Sequence, residues 1–256
     1  MKKAIIGGTG VYDIAEDSRK QIVKTEYGDV EVDIIKVHGE DIVFLARHGK
    51  SHSVPPHLIN YRANIRALQK LGVKQIYATC AVGSCNENYG PGQVVILKNF
   101  IDFTKARPMT FFQGGEQGVV HTDMSDPYCS NLRKLFQQEC RTLGIEVKGE
   151  AVYACTEGPR FETEYEIKMY KQLGCDVVGM TNVPEVVLAK ELGMCYSAVG
   201  IVTNWCTGIE NKEITLEDIQ GSMNKNKEMI TKAFINVLTG DINQEQCFCN
   251  RSTMKL

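Results

Sequence analysis

The stretch Val177-Val178-Gly179-Met180-Thr181-Asn182-Val183-Pro184-Glu185-Val186-Val187-Leu188-Ala189-Lys190-Glu191-Leu192-Gly193, followed by Tyr196–Val202, reads as strand, polar turn, helix and strand. A short β-branched run feeds the turn, and Pro184 suits the first turn of a helix, where its missing N–H would have had no partner. Gly193 stands where such a helix stops, just ahead of the next apolar run. Neither flanking run alternates polar with apolar residues, which is the pattern of strands buried on both faces of an α/β sheet.

The same unit recurs on both sides. Strands are expected at Lys3–Ile6, Val30–Val37, Asp41–Ala46, Gln75–Thr79, Gln93–Leu97, Glu150–Cys155, Val177–Gly179 and Tyr196–Val202. A helix over Asn60–Leu71 places Ile65, Leu68 and Leu71 on one face and stops at Gly72, and Ser130–Leu143 stops at Gly144. Thr163-Glu164-Tyr165-Glu166 has capping-box spacing and opens a helix ending at Gly174. A last long helix runs from Thr215 to about Leu238, with Leu216, Ile219, Met223, Ile230, Phe234 and Val237 at core spacing. Each earlier helix stop falls just before a strand, so the fold class is α/β. With 256 residues the expectation is one domain over 1–240, followed by a polar tail over 241–256. The Gly-rich segment Lys105–Asp123 lacks periodicity and is read as a long functional loop or an oligomer contact.

Bulk properties exclude several classes. A net charge of −2 supplies no basic footprint for nucleic acid or an anionic membrane. The opening apolar run is too short for a signal peptide core or a spanning helix, so a cytoplasmic chain is expected. Ten cysteines, scattered through core-like segments without CxxC pairs, read as reduced thiols. The pair Cys247 and Cys249 lies in the polar tail; metal capture or a disulfide would fit the spacing, and a disordered tail is the preferred reading.

Several loops after strands carry chemistry. Gly7-Gly8-Thr9-Gly10 lets backbone N–H groups approach an anion, and Thr9 adds a hydroxyl donor; a plain tight turn fits the same four residues. A dinucleotide site fits worse, since no GxGxxG opens a helix there. Arg47, His48, Lys50 and His52 leave a strand end together, as a dianion grip or a solvated basic turn, and no carboxylates stand at metal-ligand spacing. Thr79–Ser84, Gly158–Thr163, Met180–Glu185 and Thr203–Trp205 also follow strands, where an α/β sheet assembles its site. Taken singly, each has a plainer reading as core, cap or turn; a Glu in a first helical turn, for one, is usually a cap.

In order along about residues 2–238, these segments resemble the trimeric purine nucleoside phosphorylase and methylthioadenosine phosphorylase family. The resemblance rests on GGTG at 7–10, ARHG at 46–49, NYRANI at 60–65, GS at 83–84, PG at 91–92, EGPRFET at 157–163, MTNVPEVVLAKELG at 180–193 and TNW at 203–205. It implies a single domain with a central mixed, partly barrel-like β-sheet flanked by helices. It further implies phosphate against Thr9, Arg47, His48, the Ala81 backbone and Thr181, ribose against Met180, and a purine against Phe161, Glu162, Asn204 and Cys206. His121 resembles the residue that enters a neighbouring subunit's site near the 5′ position, so the resemblance implies a homotrimer with shared sites. Cys80 stands where the methylthioadenosine branch often has Thr, and its role stays open.

The base pocket departs from the methylthioadenosine branch, whose Asp accepts from a 6-amino group, because this chain has Thr203-Asn204. An amide can donate to a 6-oxo group while its carbonyl accepts the N7 proton of the departing base. Glu162 can accept from N1–H of hypoxanthine or guanine, a hydrogen that adenine lacks. The expected activity is therefore phosphorolysis of 6-oxopurine nucleosides, with Asn204, His48 and Arg47 as the catalytic set, inorganic phosphate as co-substrate, and no metal or organic cofactor. Leu216 stands where inosine-cleaving relatives often place a His; an apolar wall there suits 5′-methylthioinosine, and plain core packing fits it equally. A methylthioadenosine phosphorylase and a non-catalytic nucleoside-binding module are the alternatives.

Overall fold

The computed structural model describes residues 2–7, 18–49, 53–210 and 215–256. The elements in chain order are β1 (Lys2–Gly7), β2 (Ser18–Thr25), β3 (Gly28–Val37), β4 (Glu40–Ala46), α1 (Tyr61–Lys70), β5 (Val73–Ser84), β6 (Val94–Phe103), β7 (Val120–Thr122), α2 (Ser130–Leu143), β8 (Val147–Thr156), α3 (Glu164–Gln172), β9 (Val177–Gly179), α4 (Asn182–Glu191), β10 (Cys195–Trp205), α5 (Leu216–Thr239) and β11 (Thr253–Lys255).

Nine strands form one mixed sheet in the order β10-β6-β8-β9-β5-β1-β4-β3-β2, and β10 also pairs with β5. That extra pairing closes β5, β10, β6, β8 and β9 into a small ring, from which β1, β4, β3 and β2 extend as an open wing. Closure depends on β5 being long: one edge holds β1 along Val73–Ala78 and β9 at Gly83 and Ser84, while the other holds β10 throughout. It also depends on small residues inside the ring. A Cβ on Gly200 would lie 3.1 Å from Val95 Cγ2 and 3.3 Å from Val82 Cγ2, tighter than ordinary contacts. The sequence expectation of a mixed, partly barrel-like sheet is met.

The helices begin and end for local reasons. The Asn60 side chain accepts from Ala63 N–H at 3.1 Å and opens α1. Gly144 takes the left-handed conformation (φ 70°) that closes α2. Thr163 and Glu166 form the expected capping box of α3. In α4, Val183 is extended (φ −112°, ψ 128°), so the regular helix starts at Pro184 as the sequence suggests.

The hydrophobic core lies on both faces of the sheet. One cluster packs α1 and α4 through Ile65, Leu68, Val186 and Leu188, and the other packs α2 and α5 through Leu132, Phe136, Ile230 and Phe234. Tyr77 stacks on Phe234 at 4.6 Å between ring centroids and donates its hydroxyl to Leu132 O.

Two departures from the sequence reading stand out. The first is β2, Ser18–Thr25, which escapes notice because it is an edge strand, paired only to β3, and six of its eight residues are polar. The second is the C-terminal segment, which is not disordered. Ile242, Cys247 and Cys249 are buried, and β11 pairs antiparallel with β7 through Thr253 and Thr122. Its few apolar residues carry the anchoring while the exposed majority gives the segment its polar look. Among the described residues, no helix is long and apolar enough to cross a membrane.

Candidate active site

At one end of the ring lies a cavity whose walls come from the C-terminal ends of β5, β9 and β10, the loop after β8, the turn after β4 and one side of α5. The parallel strands β4, β5 and β10 release their loops here, and such strand ends are where an α/β sheet builds its site.

One wall is basic and polar. Arg47, the first residue after β4, is buried and meets Glu185 of α4 side-on, with Nε to Oε2 and Nη2 to Oε1 both at 2.7 Å. Its Nη1 donates to Thr79 O at 2.9 Å, so three of five guanidinium donors are committed and two remain. Burial works against the Arg47 charge, but Glu185 more than offsets it and holds the guanidinium pKa well above its ordinary value. The Tyr196 hydroxyl donates to Glu185 Oε1 at 2.6 Å, which gives the buried carboxylate a third donor. Next along the chain, His48 Nδ1 lies 2.8 Å from Val54 O, an anchor that sets the ring's orientation.

Across from Arg47 stands the start of α4. Thr181 N–H donates to the buried Tyr153 hydroxyl at 3.1 Å, and the Thr181 side chain makes no cap bond. The Thr181 hydroxyl and the exposed Ala81, on β5 opposite Ile201, complete a polar corner beside a helix N-terminus. Such a corner suits a dianion, because the helix dipole and an Arg fork both favour negative charge. Cys80 lies in the same corner as a neutral thiol; burial pushes its pKa up to about 12. Thr9, Lys50 and His52, which the sequence reading groups with this corner, lie outside the described residues.

The second wall is shaped by a bulge. Val202 pairs with Val82 but Asn204 pairs with Gly83, so Thr203 is an extra residue in β10, and the bulge re-aims Asn204. The Asn204 amide is held at both ends: the Thr203 hydroxyl donates to Oδ1 at 2.7 Å, and Nδ2 donates to Trp205 O at 2.8 Å. Each end keeps capacity for one more hydrogen bond. Only glycine fits opposite, since a Cβ on Gly83 would lie 2.9 Å from Cys206 Sγ and 3.3 Å from Asn204 Nδ2.

Glu162 enters from the loop after β8. Thr156 donates to its Oε1 at 2.7 Å, and the Glu162 carboxylate reaches the same cavity as Asn204. Phe161, half exposed at the mouth, offers a ring face. Met180 forms the floor between the two walls; a Cβ on Gly158, which has φ +65°, would overlap its sulfur.

The structure thus brings Arg47, His48, Ala81, Thr181, Phe161, Glu162, Met180, Asn204 and Cys206 to one cavity. It does not bring His121 there: that residue sits exposed on β7, opposite Met254. Leu216 opens α5, but its side chain lies outside the described residues; Ile219 and Met223 supply the apolar side of the cavity instead. Those two residues carry a plain core signature in the sequence, and nothing there separates a cavity wall from a core face.

Two supporting residues escape the sequence reading. Glu185 reads as an ordinary first-turn acid, yet it is the buried partner of Arg47. Arg107, inside the Gly-rich segment, is buried and donates to Val183 O at 2.6 Å, Glu157 O at 2.8 Å and the Tyr61 hydroxyl at 3.1 Å. It ties the loop after β8 to the start of α4, and so sets the spacing of the two walls.

The family model of the phosphorylase superfamily matches residues 2–239, and the chain belongs to that family. Its relatives are specific. It is 47% identical over 258 residues to a probable 6-oxopurine nucleoside phosphorylase of Moorella thermoacetica, covering 100% of this chain and 99% of that one. It is 48% identical to the 6-oxopurine nucleoside phosphorylase of Pyrococcus furiosus, covering 96% and 95% of the two chains. Among solved structures, the methylthioadenosine phosphorylase of Schistosoma mansoni in complex with adenine superposes with a TM-score of 0.89 at 30% identity, covering 98% of this chain and 96% of that one.

Proposed function

We propose that this chain is a purine nucleoside phosphorylase that cleaves 6-oxopurine nucleosides with inorganic phosphate, releasing free base and ribose 1-phosphate. The observation that carries the reading is the pairing of the Asn204 amide with the Glu162 carboxylate in one cavity, facing a corner built for a dianion. An amide held with one donor and one acceptor to spare matches O6 and N7–H of a departing hypoxanthine or guanine. A carboxylate beside it matches N1–H. Adenine would leave the carboxylate without a donor, at a cost of roughly 1–3 kcal/mol per unmet contact.

The chemistry follows from charge. Attack at the anomeric carbon passes through a state with positive charge on the sugar and negative charge growing on the purine. Phosphate, held by Arg47, His48, Ala81 and Thr181, stabilises the first and becomes the nucleophile; Asn204 stabilises the second at N7 and O6. Holding both reactants in line supplies much of the barrier reduction, so the reading needs no covalent intermediate, general base, metal or organic cofactor. Ile219 and Met223 give the far end of the cavity an apolar side, which admits a 5′-methylthio group alongside a 5′-hydroxyl.

The reading also includes a cytoplasmic homotrimer in which His121, exposed on β7, reaches the 5′ end of a neighbour's nucleoside. Light scattering at assay concentration tests the assembly, and a monomer with full activity would remove His121 from the site. For the reaction itself, the protein is incubated with inosine, guanosine, 5′-methylthioinosine and adenosine, with and without phosphate, and free base is followed by chromatography. Phosphate-dependent release of hypoxanthine or guanine is expected; preferential release of adenine, or binding without turnover, would overturn the reading.

A further inference from the structure

At the opposite end of β10 from Asn204, four cysteines meet. Cys195 opens β10, Cys129 caps the N-terminus of α2, and Cys247 and Cys249 come from the C-terminal segment. All four side chains are buried, and their sulfurs lie within 4.8 Å of one another. Asn204 lies nine steps along the extended strand from Cys195, at ~3.3 Å each, so the cluster is remote from the cavity.

The spacing selects among the chemistries four thiols allow. A disulfide needs sulfurs at about 2.05 Å. Here Cys195 Sγ and Cys247 Sγ stand 3.4 Å apart and none of the ten cysteines is in a disulfide. Four thiolates bound tetrahedrally to a zinc ion at about 2.3 Å stand about 3.8 Å from one another, which lies within the span of this cluster. The surroundings also suit a sulfur set carrying negative charge: the Cys249 backbone N–H donates to Cys247 sulfur, and the buried Lys190 lies near Cys249. The Cys129 side chain makes no cap bond to α2, and its backbone N–H donates instead to Tyr196 O at 2.7 Å, tying the cluster to β10.

We propose that Cys129, Cys195, Cys247 and Cys249 form a structural tetrathiolate site for a thiophilic divalent cation, zinc, which clamps the C-terminal segment onto the start of β10 and α2. Binding releases four protons, one from each thiol, and leaves a zinc tetrathiolate of net charge −2 with no change of oxidation state. The ion has no part in phosphorolysis; it supplies the cross-link that lets a segment with few apolar residues hold its place.

The full chain is purified without chelator under anaerobic conditions from zinc-supplemented medium. Metal is measured by mass spectrometry of the digest, and thiols are counted by alkylation in denaturant with chelator. One zinc per chain with ten alkylated thiols is expected, together with a lower melting temperature when chelator is added to the native protein. The double variant Cys247→Ser/Cys249→Ser should lose the zinc and the chelator effect while keeping phosphorolysis. Should it fail to fold, cobalt loading of the unaltered protein gives the second reading, with the ligand-field and thiolate charge-transfer bands of a tetrahedral tetrathiolate expected. Six alkylated thiols with two disulfides, ten thiols without zinc, or cobalt spectra lacking thiolate bands would each overturn the proposal.

Discussion

Arg47 and Glu185, 138 positions apart in sequence, form a side-on bidentate ion pair buried at the edge of the cavity, with both contacts at 2.7 Å. The pair orients the guanidinium so that, in the proposed function, its remaining donors serve the phosphate, and it leaves the carboxylate dependent on a cation for its burial. Glu185→Ala would strand the Arg47 charge, which costs about 3–5 kcal/mol for a buried pair. The expected outcome is a melting temperature lower by on the order of 10 °C, with KM for phosphate rising more than KM for nucleoside. Thermal scans and a two-substrate kinetic analysis check it; an unchanged melting point would contradict the burial argument.

Cys80 tests the phosphate corner from another side. Its thiol stays protonated at neutral pH because burial pushes it up to about 12, and its sulfur lies 3.7 Å from Val199 O. Thiols donate weakly, so Cys80→Thr, which puts a hydroxyl at the corner, should lower KM for phosphate about five-fold, corresponding to ~1 kcal/mol for one better hydrogen bond. Initial rates at varied phosphate decide it, and a raised KM would show that Cys80 packs rather than faces the anion.

The loop that carries Phe161 and Glu162 is held by Arg160 and Glu166 at the start of α3. Hydrogen bonds from Arg160, and from the Thr163 backbone, hold the Glu166 carboxyl down to about 2 from an ordinary 4.5. A depressed carboxyl pKa stabilises the fold fully above the unfolded value and loses that contribution as pH falls from about 4.5 towards 2. The melting-point difference between the unaltered chain and Glu166→Gln should therefore be constant above pH 5 and shrink steadily below it. A difference that grows on acidification would reverse the sign and contradict the assignment. Arg160 is exposed and Glu166 half-buried, so solvent screens the pair and the effect is small, which makes its pH profile the informative quantity.

How far the sequence carries can be judged residue by residue. The span of α2, Ser130–Leu143, is legible to the residue because an apolar period ends on a glycine that takes φ 70°. Most of the cavity residues are legible because they stand at or just after strand ends, where an α/β sheet assembles its site, whereas Ile219 and Met223 of α5 read as plain core. What stays hidden is what only closure creates. Nothing local says that β10 will pair with β5, that a bulge at Thr203 will turn Asn204 towards Gly83, or that Arg107 will bridge two walls from a loop without periodicity. The tail misleads for the same reason: Cys247 and Cys249 are buried by contact with Cys129 and Cys195, residues over 50 positions away.

The most direct test of the account is the inosine-to-adenosine ratio of kcat/KM in the unaltered enzyme and in Asn204→Asp. The variant keeps an oxygen for Thr203 to donate to, but loses the N–H that donates to Trp205 O and would donate to O6 of the base. With a preference set by one or two contacts of roughly 1–3 kcal/mol each, the ratio should fall about 10- to 100-fold, towards the 6-amino substrate. A variant that keeps the original ratio would contradict the claim that Asn204 reads the 6-position of the purine.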